Sequence, residues 1–125
     1  FIPDIDGAVV VTIPSEISQG IALKAALLCK KAKIEILGVV ENMSGHICRF
    51  CGHKNDILAS GGGESLARQI GAPFLGKIPL DGSLSKTADE GIPFVKAFPG
   101  SEAAKAAKII TDKVLERIGI NSSNR

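Results

Sequence analysis

The 125-residue sequence has little excess charge, no long apolar run and few cysteines. Its net charge is +2 and its lysines are scattered between acids, so the charge pattern indicates neither a nucleic acid nor a membrane surface as a partner. No signal peptide and no stretch of about 20 apolar residues is present. Three cysteines, an odd number, favour thiols or metal ligands in a reducing, cytoplasmic setting over disulfides.

A phosphate-binding loop is also missing, because the pattern GxxxxGK[ST] occurs nowhere in the chain. The glycine run Gly61-Gly-Gly-Glu64 has no Lys-Ser/Thr after it, and we interpret it as the start of a helix. Phosphoryl transfer needs a phosphate cradle, its lysine and a held magnesium ion. The chain on its own is therefore not expected to hydrolyse ATP.

Three apolar runs, near residues 7 to 13, 35 to 41 and 74 to 78, show no alternation and predict parallel strands buried on both faces. Helical periodicity separates these runs. The sequence therefore predicts an α/β fold, namely a partial doubly wound parallel sheet with helices on both faces. The first helix is expected to turn one apolar face inward, formed by Ile17, Ile21, Ala25, Leu28 and Ala32.

The second half of the chain contains clear helix boundaries. Leu66, Ala67 and Ile70 predict the inner face of a short helix that ends at Gly71. Residues 94 to 98 are expected to be extended, and a long last helix should begin after Ser101. Residues 1–119 are then one domain portion, and 120–125 a disordered tail. Cys29, on the first helix, is interpreted as a small buried hydrophobe.

Cys48 and Cys51 form a CxxC pair, whose two-residue spacer lets both sulfurs bind one metal ion or cluster. Structural zinc and most iron–sulfur clusters need four ligands, so two more must be found. His46 and His53 flank the pair, but ligands two residues apart on an extended chain point in opposite directions. A second copy of the chain is the simpler donor. The surrounding residues, 46 to 58, predict a small ribbon.

Asn42 directly follows the second predicted strand, at the carboxyl edge where open parallel sheets bind ligands. Its amide could pair with the edge of an adenine base, which requires one donor and one acceptor together. The alternative is that it caps the turn at the end of the strand, as asparagine often does. Asp81 follows the third strand and is expected to be the N-cap of a helix that runs through Asp89.

Four segments taken together resemble a known family. They are Gly38-Val-Val-Glu-Asn-Met-Ser-Gly45, Cys48-x-x-Cys51-Gly-His53, Gly61-Gly-Gly-Glu64 and Pro73-Phe-Leu-Gly-Lys-Ile-Pro-Leu-Asp81. Their order and spacing resemble the Mrp/ApbC family of MinD-like deviant P-loop ATPases, over roughly residues 5 to 98. The resemblance implies that the chain is a carboxyl-terminal portion, with the phosphate loop upstream. Arg49 departs from the proline common in the family's CPxC, so a looser loop is expected.

The resemblance also implies a function and its residues. Asn42, Pro79 and Asp81 would contact adenine, and the full-length protein would use ATP with magnesium. Cys48 and Cys51 would bind a 4Fe–4S cluster, or zinc as a substitute, in a homodimer formed through the CxxC loop, with His46 and His53 not among the ligands. The protein would then be an ATP-dependent iron–sulfur cluster carrier or assembly scaffold that transfers clusters to apoproteins.

Two other functions remain open from the sequence. One is a structural zinc ribbon on an interaction domain, and the other is a MinD-like positioning ATPase without a cluster. In every case, strands whose sequences suit burial on both faces expose apolar side chains if part of the sheet is absent. Self-association, or partial disorder near Phe1 to Asp6, is therefore expected of the chain alone.

Overall fold

The computed structural model describes residues 4–56 and 61–120. The strands are β1 (Ala8–Thr12), β2 (Ile36–Glu41), β3 (His46–Ile47), β4 (Lys54–Asn55) and β5 (Phe74–Lys77). The helices are α1 (Glu16–Lys31), α2 (Gly62–Ile70), α3 (Gly82–Asp89), α4 (Phe94–Ala97) and α5 (Glu102–Arg117). No helix in this described part is long and apolar enough to span a membrane.

The main sheet is parallel, with the strand order β1-β2-β5. Central strand β2 is buried along all six residues, which explains why its sequence is a continuous apolar run that ends in Glu41. Val39 pairs with Val10 on one side and with Phe74 on the other. The predicted α/β fold and its three parallel strands are therefore confirmed.

Helices cover both faces of this sheet. On one face, Val10 and Val39 share a buried cluster with residues of α1 and α2, including Ala26 and Leu66. On the other face, Val40 and Leu75 pack against Ile110 of α5. A Cβ atom at Gly38 would lie 2.4 Å from Leu75 Cγ, so only glycine lets the leucine side chain pass over β2 there.

The predicted inner face of α1 is wrong. Ile17 is 79% exposed, and Ile21 and Leu28 are exposed as well. The helix instead buries Ala22 and Ala26, because small side chains allow it to lie close against the sheet and α2. The predicted face of α1 and the face that is buried are both apolar, so helical periodicity alone could not show which one packs against the sheet. Cys29 is half-buried and packs against the same cluster.

The extended segment expected over residues 94 to 98 is also wrong, since residues Phe94–Ala97 form the single helical turn α4. Phe98 N–H donates to Phe94 O at 2.9 Å, and the two rings lie 5.7 Å apart. The spacing of four residues thus places two aromatic rings on one side of a turn. Ser101 caps α5 as predicted, and Gly71 ends α2 with a left-handed φ of 69°. Residues 1–3 and the tail from 121 onward lie outside the described residues.

Nothing among residues 4–56 and 61–120 covers the second face of β1. Val9 and Val11 alternate with buried Val10 and are both exposed, because α5 packs against β5 and β2 on that side. In the part of the chain that the structure describes, no strand pairs with the outer edge of β1. An apolar face beside an unpaired strand edge is a surface that promotes association.

We therefore expect the double variant Val9→Thr/Val11→Thr to self-associate less than the parent chain. Threonine keeps the β-branched shape that suits a strand while it replaces exposed methyl groups with hydroxyls. Sedimentation velocity at matched concentrations measures the change as a shift toward monomer. Val10→Thr is the control. Because Val10 is buried, this variant should lower the stability of the fold without reducing self-association. An unchanged distribution in the double variant would show that association uses another surface.

Candidate functional site

The CxxC pair lies in the turn of a short antiparallel ribbon. His46 pairs with Asn55 and Ile47 with Lys54, which brings the two arms together. The turn is closed by Cys48 N–H donating to His53 O at 2.9 Å and by Gly52 N–H donating to Cys48 O at 2.9 Å. The predicted ribbon is thus confirmed through residue 56, and its residues 57 and 58 lie outside the described part.

The two cysteines of the turn differ in environment. Cys51 is exposed and Cys48 is half-buried. The backbone N–H groups of Cys51 and Phe50, together with the Cys51 thiol, donate hydrogen bonds to the Cys48 sulfur and lower the pKa of Cys48, against the opposing effect of burial. A lowered pKa increases the thiolate fraction near neutral pH, and the thiolate is both the nucleophile and the metal ligand.

This difference predicts the pH dependence of alkylation. In the metal-free double variant Cys29→Ser/Cys51→Ser, Cys48 is the only thiol and keeps its two backbone hydrogen bonds. Its reaction with iodoacetamide should have a midpoint at lower pH in the folded chain than in the urea-unfolded chain, because folding favours the thiolate. Mass spectrometry of timed reactions measures both profiles. Equal midpoints would contradict the proposed hydrogen bonds.

The ribbon by itself offers two sulfur ligands. Among residues 4–56 and 61–120, no three His, Cys, Asp or Glu side chains come together in a way that could hold a metal ion. That His46 and His53 are not ligands stays a prediction. Two thiolates are fewer than the four ligands of structural zinc or of a 4Fe–4S cluster.

A buried carboxylate holds the turn that connects β2 to the ribbon. Glu41, at the end of β2, is 0% exposed and accepts a hydrogen bond from Ser44 Oγ–H at 2.6 Å. Its second oxygen accepts from Gly63 N–H at 2.6 Å, in the first turn of α2. The N-cap residue of α2 is Gly61, which has no side chain, so Glu41 satisfies a helix N–H that a capping side chain usually satisfies.

Sequence reasoning missed this role of Glu41. An available signal was an acidic residue that ends an apolar strand, combined with glycines at the start of the following helix. A Cβ atom at Gly63 would lie 2.8 Å from Glu41 Cβ, so glycine at position 63 allows the carboxylate to approach the helix. The contact holds the segment that carries Asn42 against the body of the domain.

The segments that follow β2 and β5 run side by side beyond the sheet. Ile78 N–H donates to Glu41 O at 2.8 Å, and Ser44 N–H donates to Ile78 O at 2.9 Å. Leu80 N–H then donates to Gly45 O at 2.8 Å, and His46 forms a parallel bridge with Leu80. These contacts place the cysteine ribbon beside the predicted adenine-contact residues Pro79 and Asp81.

Asp81 joins the ribbon to α3. As predicted, it is the N-cap, since its Oδ1 accepts from Ser83 N–H at 2.9 Å. Arg49, between the two cysteines, donates to the same Oδ1 at 3.1 Å and to Ser83 Oγ at 2.6 Å. Burial is the largest single influence and raises the pKa of Asp81, but the hydrogen bonds from Ser83 and the adjacent Arg49 charge together outweigh it and lower that pKa.

A cleft of about 570 Å³ lies between the ribbon and the start of α5. Its size is within the range of small-molecule sites. Its lining comes from the ribbon, from the segment after β5 and from the start of α5, including Cys48, Arg49, Pro79, Asp81 and Ser101. Three of the predicted site residues, Cys48, Pro79 and Asp81, therefore line one cavity.

Asn42 is not among the residues that line this cleft. It lies at the carboxyl end of β2, as predicted, and its Oδ1 accepts from Met43 N–H at 2.9 Å. That contact reaches only the next residue, so it is not the usual Asx turn, in which asparagine bonds the backbone two residues on. Contact between Asn42 and adenine therefore stays a prediction.

The parallel sheet, with helices on both faces and a cleft beyond the carboxyl ends of its strands, defines a domain of the MinD and ParA type of P-loop NTPase fold. The MinD cell division ATPase of Pyrococcus furiosus superposes with a TM-score of 0.62 at 31% identity, over 90% of this chain and 42% of that one. An ADP-bound nucleotide-binding protein from Archaeoglobus fulgidus gives 0.59 at 34% identity, over 69% and 35%.

The particular family is defined by its sequence profile. The profile of the ParA family described as NUBPL iron-transfer P-loop NTPase matches residues 1–115, and the chain belongs to this family. The resemblance to the Mrp/ApbC group of MinD-like proteins is thereby confirmed.

Two curated relatives carry explicit names. The cytosolic Fe-S cluster assembly factor NUBP2 of Rattus norvegicus is 44% identical over 112 residues, which is 90% of this chain and 41% of the relative. The iron-sulfur cluster carrier protein of Methanocaldococcus jannaschii is 41% identical over 117 residues, which is 94% of this chain and 40% of that protein. The chain thus spans about two fifths of the length of these relatives.

Proposed function

We propose that the chain is the adenine-side and cluster-binding portion of a cytoplasmic, ATP-dependent iron–sulfur cluster carrier that transfers 4Fe–4S clusters to apoproteins. The observation that carries this proposal is the CxxC pair in the turn of a ribbon, with one sulfur exposed and the other favoured as thiolate. The names of the NUBP2 and archaeal relatives support it. Those names also disfavour a MinD-like positioning ATPase that has no cluster.

The cluster is cargo held between two copies of the chain. Each copy contributes the thiolates of Cys48 and Cys51, and a two-fold contact that places the same turn opposite itself makes a four-cysteine site. The surface position of the turn supports this arrangement, because a second ribbon can approach it without displacing the core. Residues 1–119 act in this proposal as one domain portion, with the phosphate loop supplied elsewhere in the whole protein.

Nucleotide binding uses the neighbouring cleft. Pro79 and Asp81 line it, and Asn42 stands at the end of the adjacent strand, so these three residues are proposed to contact adenine. ATP with magnesium binds in the whole protein, where the phosphate groups meet the loop that this sequence lacks. The turn that carries Cys48 and Cys51 would then form one side of the nucleotide site.

Anaerobic reconstitution with iron and sulfide tests the proposal. We expect about two irons and two sulfides per chain, equal to four per dimer, with the loaded protein sedimenting as a dimer. A self-contained zinc ribbon would instead give one metal per chain in a monomer, and its binding would depend on His46 and His53. That second pattern would refute the carrier function for this chain.

Phe50 provides a separate test of the two-fold arrangement. Its side chain is 100% exposed and lies between the two proposed ligands, so any contact that shares a cluster brings two such rings near the axis. Burial of a phenylalanine side chain is worth about 1.5 to 3 kcal/mol. Phe50→Ser should therefore weaken the cluster-loaded dimer by at least about tenfold.

Sedimentation equilibrium of the loaded protein measures this change. Leu27→Ser is the matched control, because Leu27 is also an exposed apolar residue but lies on α1, in a different element from the ribbon. If Phe50→Ser dimerises like the parent while Leu27→Ser does not, the dimer contact lies on α1 and the proposed two-fold contact is wrong.

A further inference from the structure

Arg49 is the residue that attaches the cysteine turn to the body of the domain through its side chain. Its Nη2 lies 3.1 Å from Asp81 Oδ1 and 2.6 Å from Ser83 Oγ. The arginine side chain is 69% exposed, whereas that of Asp81 is 14% exposed. The contact therefore joins a surface turn to a largely buried partner.

The partner of Arg49 is itself held in place. Asp81 Oδ1 also accepts from Ser83 N–H, which fixes the carboxylate as the N-cap of α3. Thr87 Oγ1 donates to Ser83 O and to Leu84 O within the same helix. Arg49 is thus attached to the capped start of a helix.

The cysteine turn has few other attachments. Each arm of its ribbon is two residues long, and the hydrogen bonds that close the turn, from Cys48 and Gly52, are internal to it. Among the side chains of residues 46–56, the structure shows no other hydrogen bond or ion pair to the rest of the described chain. The backbone contacts to Leu80 hold only the base of the ribbon.

We propose that Arg49 is a positioning residue for the cysteine pair: its bonds to Asp81 and Ser83 set the direction in which Cys48 and Cys51 present their sulfurs. This inference rests on the proposed function of the two cysteines as ligands. The looser loop expected from the loss of proline at position 49 stays a prediction; the ion pair constrains the turn through a side chain, whereas a proline ring would fix a backbone φ angle. Groups that orient metal ligands typically change affinity by 10- to 100-fold when removed.

Two variants weaken the attachment of Arg49 to Asp81 and Ser83 and leave both cysteines and the cap of α3 in place. Arg49→Gln removes the charged donor, and Asp81→Asn removes the charged acceptor while asparagine remains a good N-cap. Arg49→Gln should weaken Co²⁺ binding about tenfold, measured anaerobically by thiolate-to-cobalt charge-transfer absorption. Asp81→Asn should weaken it less, because the bond from Arg49 to Ser83 remains. The double variant should lose no more than Arg49→Gln alone, because Arg49→Gln already removes the bonds to both Asp81 and Ser83. Arg49→Lys should recover part of the loss, because an ammonium keeps the charge without the planar fork.

A second readout needs no metal. In the metal-free protein, Arg49→Gln should raise hydrogen exchange at the Cys48 and Gly52 amides, which close the turn, and leave the amides of β2 unchanged. Arg117→Gln is the matched control, because it also breaks a surface pair, with Glu35 at 3.5 Å, outside the ribbon and the cleft.

The outcomes separate this inference from the function on which it rests. A parent chain that binds neither Co²⁺ nor a cluster through Cys48 and Cys51 would overturn both. A parent chain that binds them, with Arg49→Gln equal to Arg117→Gln in affinity, charge-transfer spectrum and amide exchange, would overturn only the positioning role. Strictly additive losses in the double variant would also overturn it, since Arg49 and Asp81 would then act separately.

Discussion

Replacement of either Cys48 or Cys51 by serine is expected to remove cluster binding and the cluster-dependent dimer together. Serine is nearly the size of cysteine, but its hydroxyl is a poor ligand for iron because it stays protonated and is harder than a thiolate. Each substitution removes two of the four ligands of a shared site, since both copies carry it. Iron should fall from about two per chain to background.

The measurements are iron and sulfide content after anaerobic reconstitution, and sedimentation of the same samples. Cys29→Ser is the matched control, because Cys29 lies on α1 and packs against the core, so its loss should leave both readouts intact. If Cys48→Ser retained a full complement of iron, the ligands would lie elsewhere in the chain. If Cys51→Ser lost iron but remained a dimer, the dimer would not depend on the cluster.

The parts of the fold that the sequence predicted well are those in which one local rule decides the structure. Strand β2 is a continuous apolar run because both faces are covered, and no other element type fits so short a run bounded by polar residues. Asp81 and Ser101 cap their helices as their positions before the helical pattern indicate. Gly71 ends α2 because glycine adopts a left-handed φ without strain.

Helix α1 could not be oriented from sequence because two of its stripes are apolar. The stripe with Ile17 and Leu28 is the more hydrophobic, yet the sheet takes the stripe with Ala22 and Ala26. Close approach to the strands and to α2 requires small side chains, and that requirement depends on tertiary distances that periodicity does not contain. The larger apolar stripe is left on the surface of the described chain, as are Val9 and Val11.

The sequence proposed residues for the candidate site but could not predict how their segments connect. Cys48, Cys51, Pro79 and Asp81 were identified from spacing and resemblance, and the structure brings their segments together through hydrogen bonds between Gly45 and Leu80. The tether from Arg49 to Asp81 spans 32 positions in the sequence and involves a residue that differs from the family pattern. Neither hydropathy nor motif spacing reports such a contact, because it arises only when the segments after two separate strands run side by side.

Glu41→Ala should be among the most destabilising single substitutions in the chain. It removes the acceptor of Ser44 Oγ–H and the acceptor of Gly63 N–H, and it leaves a void at a site that is 0% exposed. An unsatisfied buried donor costs about 1 to 3 kcal/mol, and the void adds to the loss, so we expect about 3 to 5 kcal/mol in total. Small domains have only about 5 to 15 kcal/mol of stability.

Glu41→Gln distinguishes the loss of the hydrogen bonds from the loss of the acid group itself. The amide oxygen can still accept from Gly63 N–H, and its NH₂ group can donate to Ser44 Oγ, so the void is avoided and both partners remain bonded. Its loss should be about 1 kcal/mol. Urea unfolding with linear extrapolation measures the free energy of unfolding of the parent chain, Glu41→Ala and Glu41→Gln. Glu64→Ala is the control, because Glu64 forms only a surface pair with Lys77 at 3.4 Å. A Glu41→Ala loss no larger than that of Glu41→Gln would show that the buried carboxylate does not hold α2 to the turn that carries the cysteine ribbon.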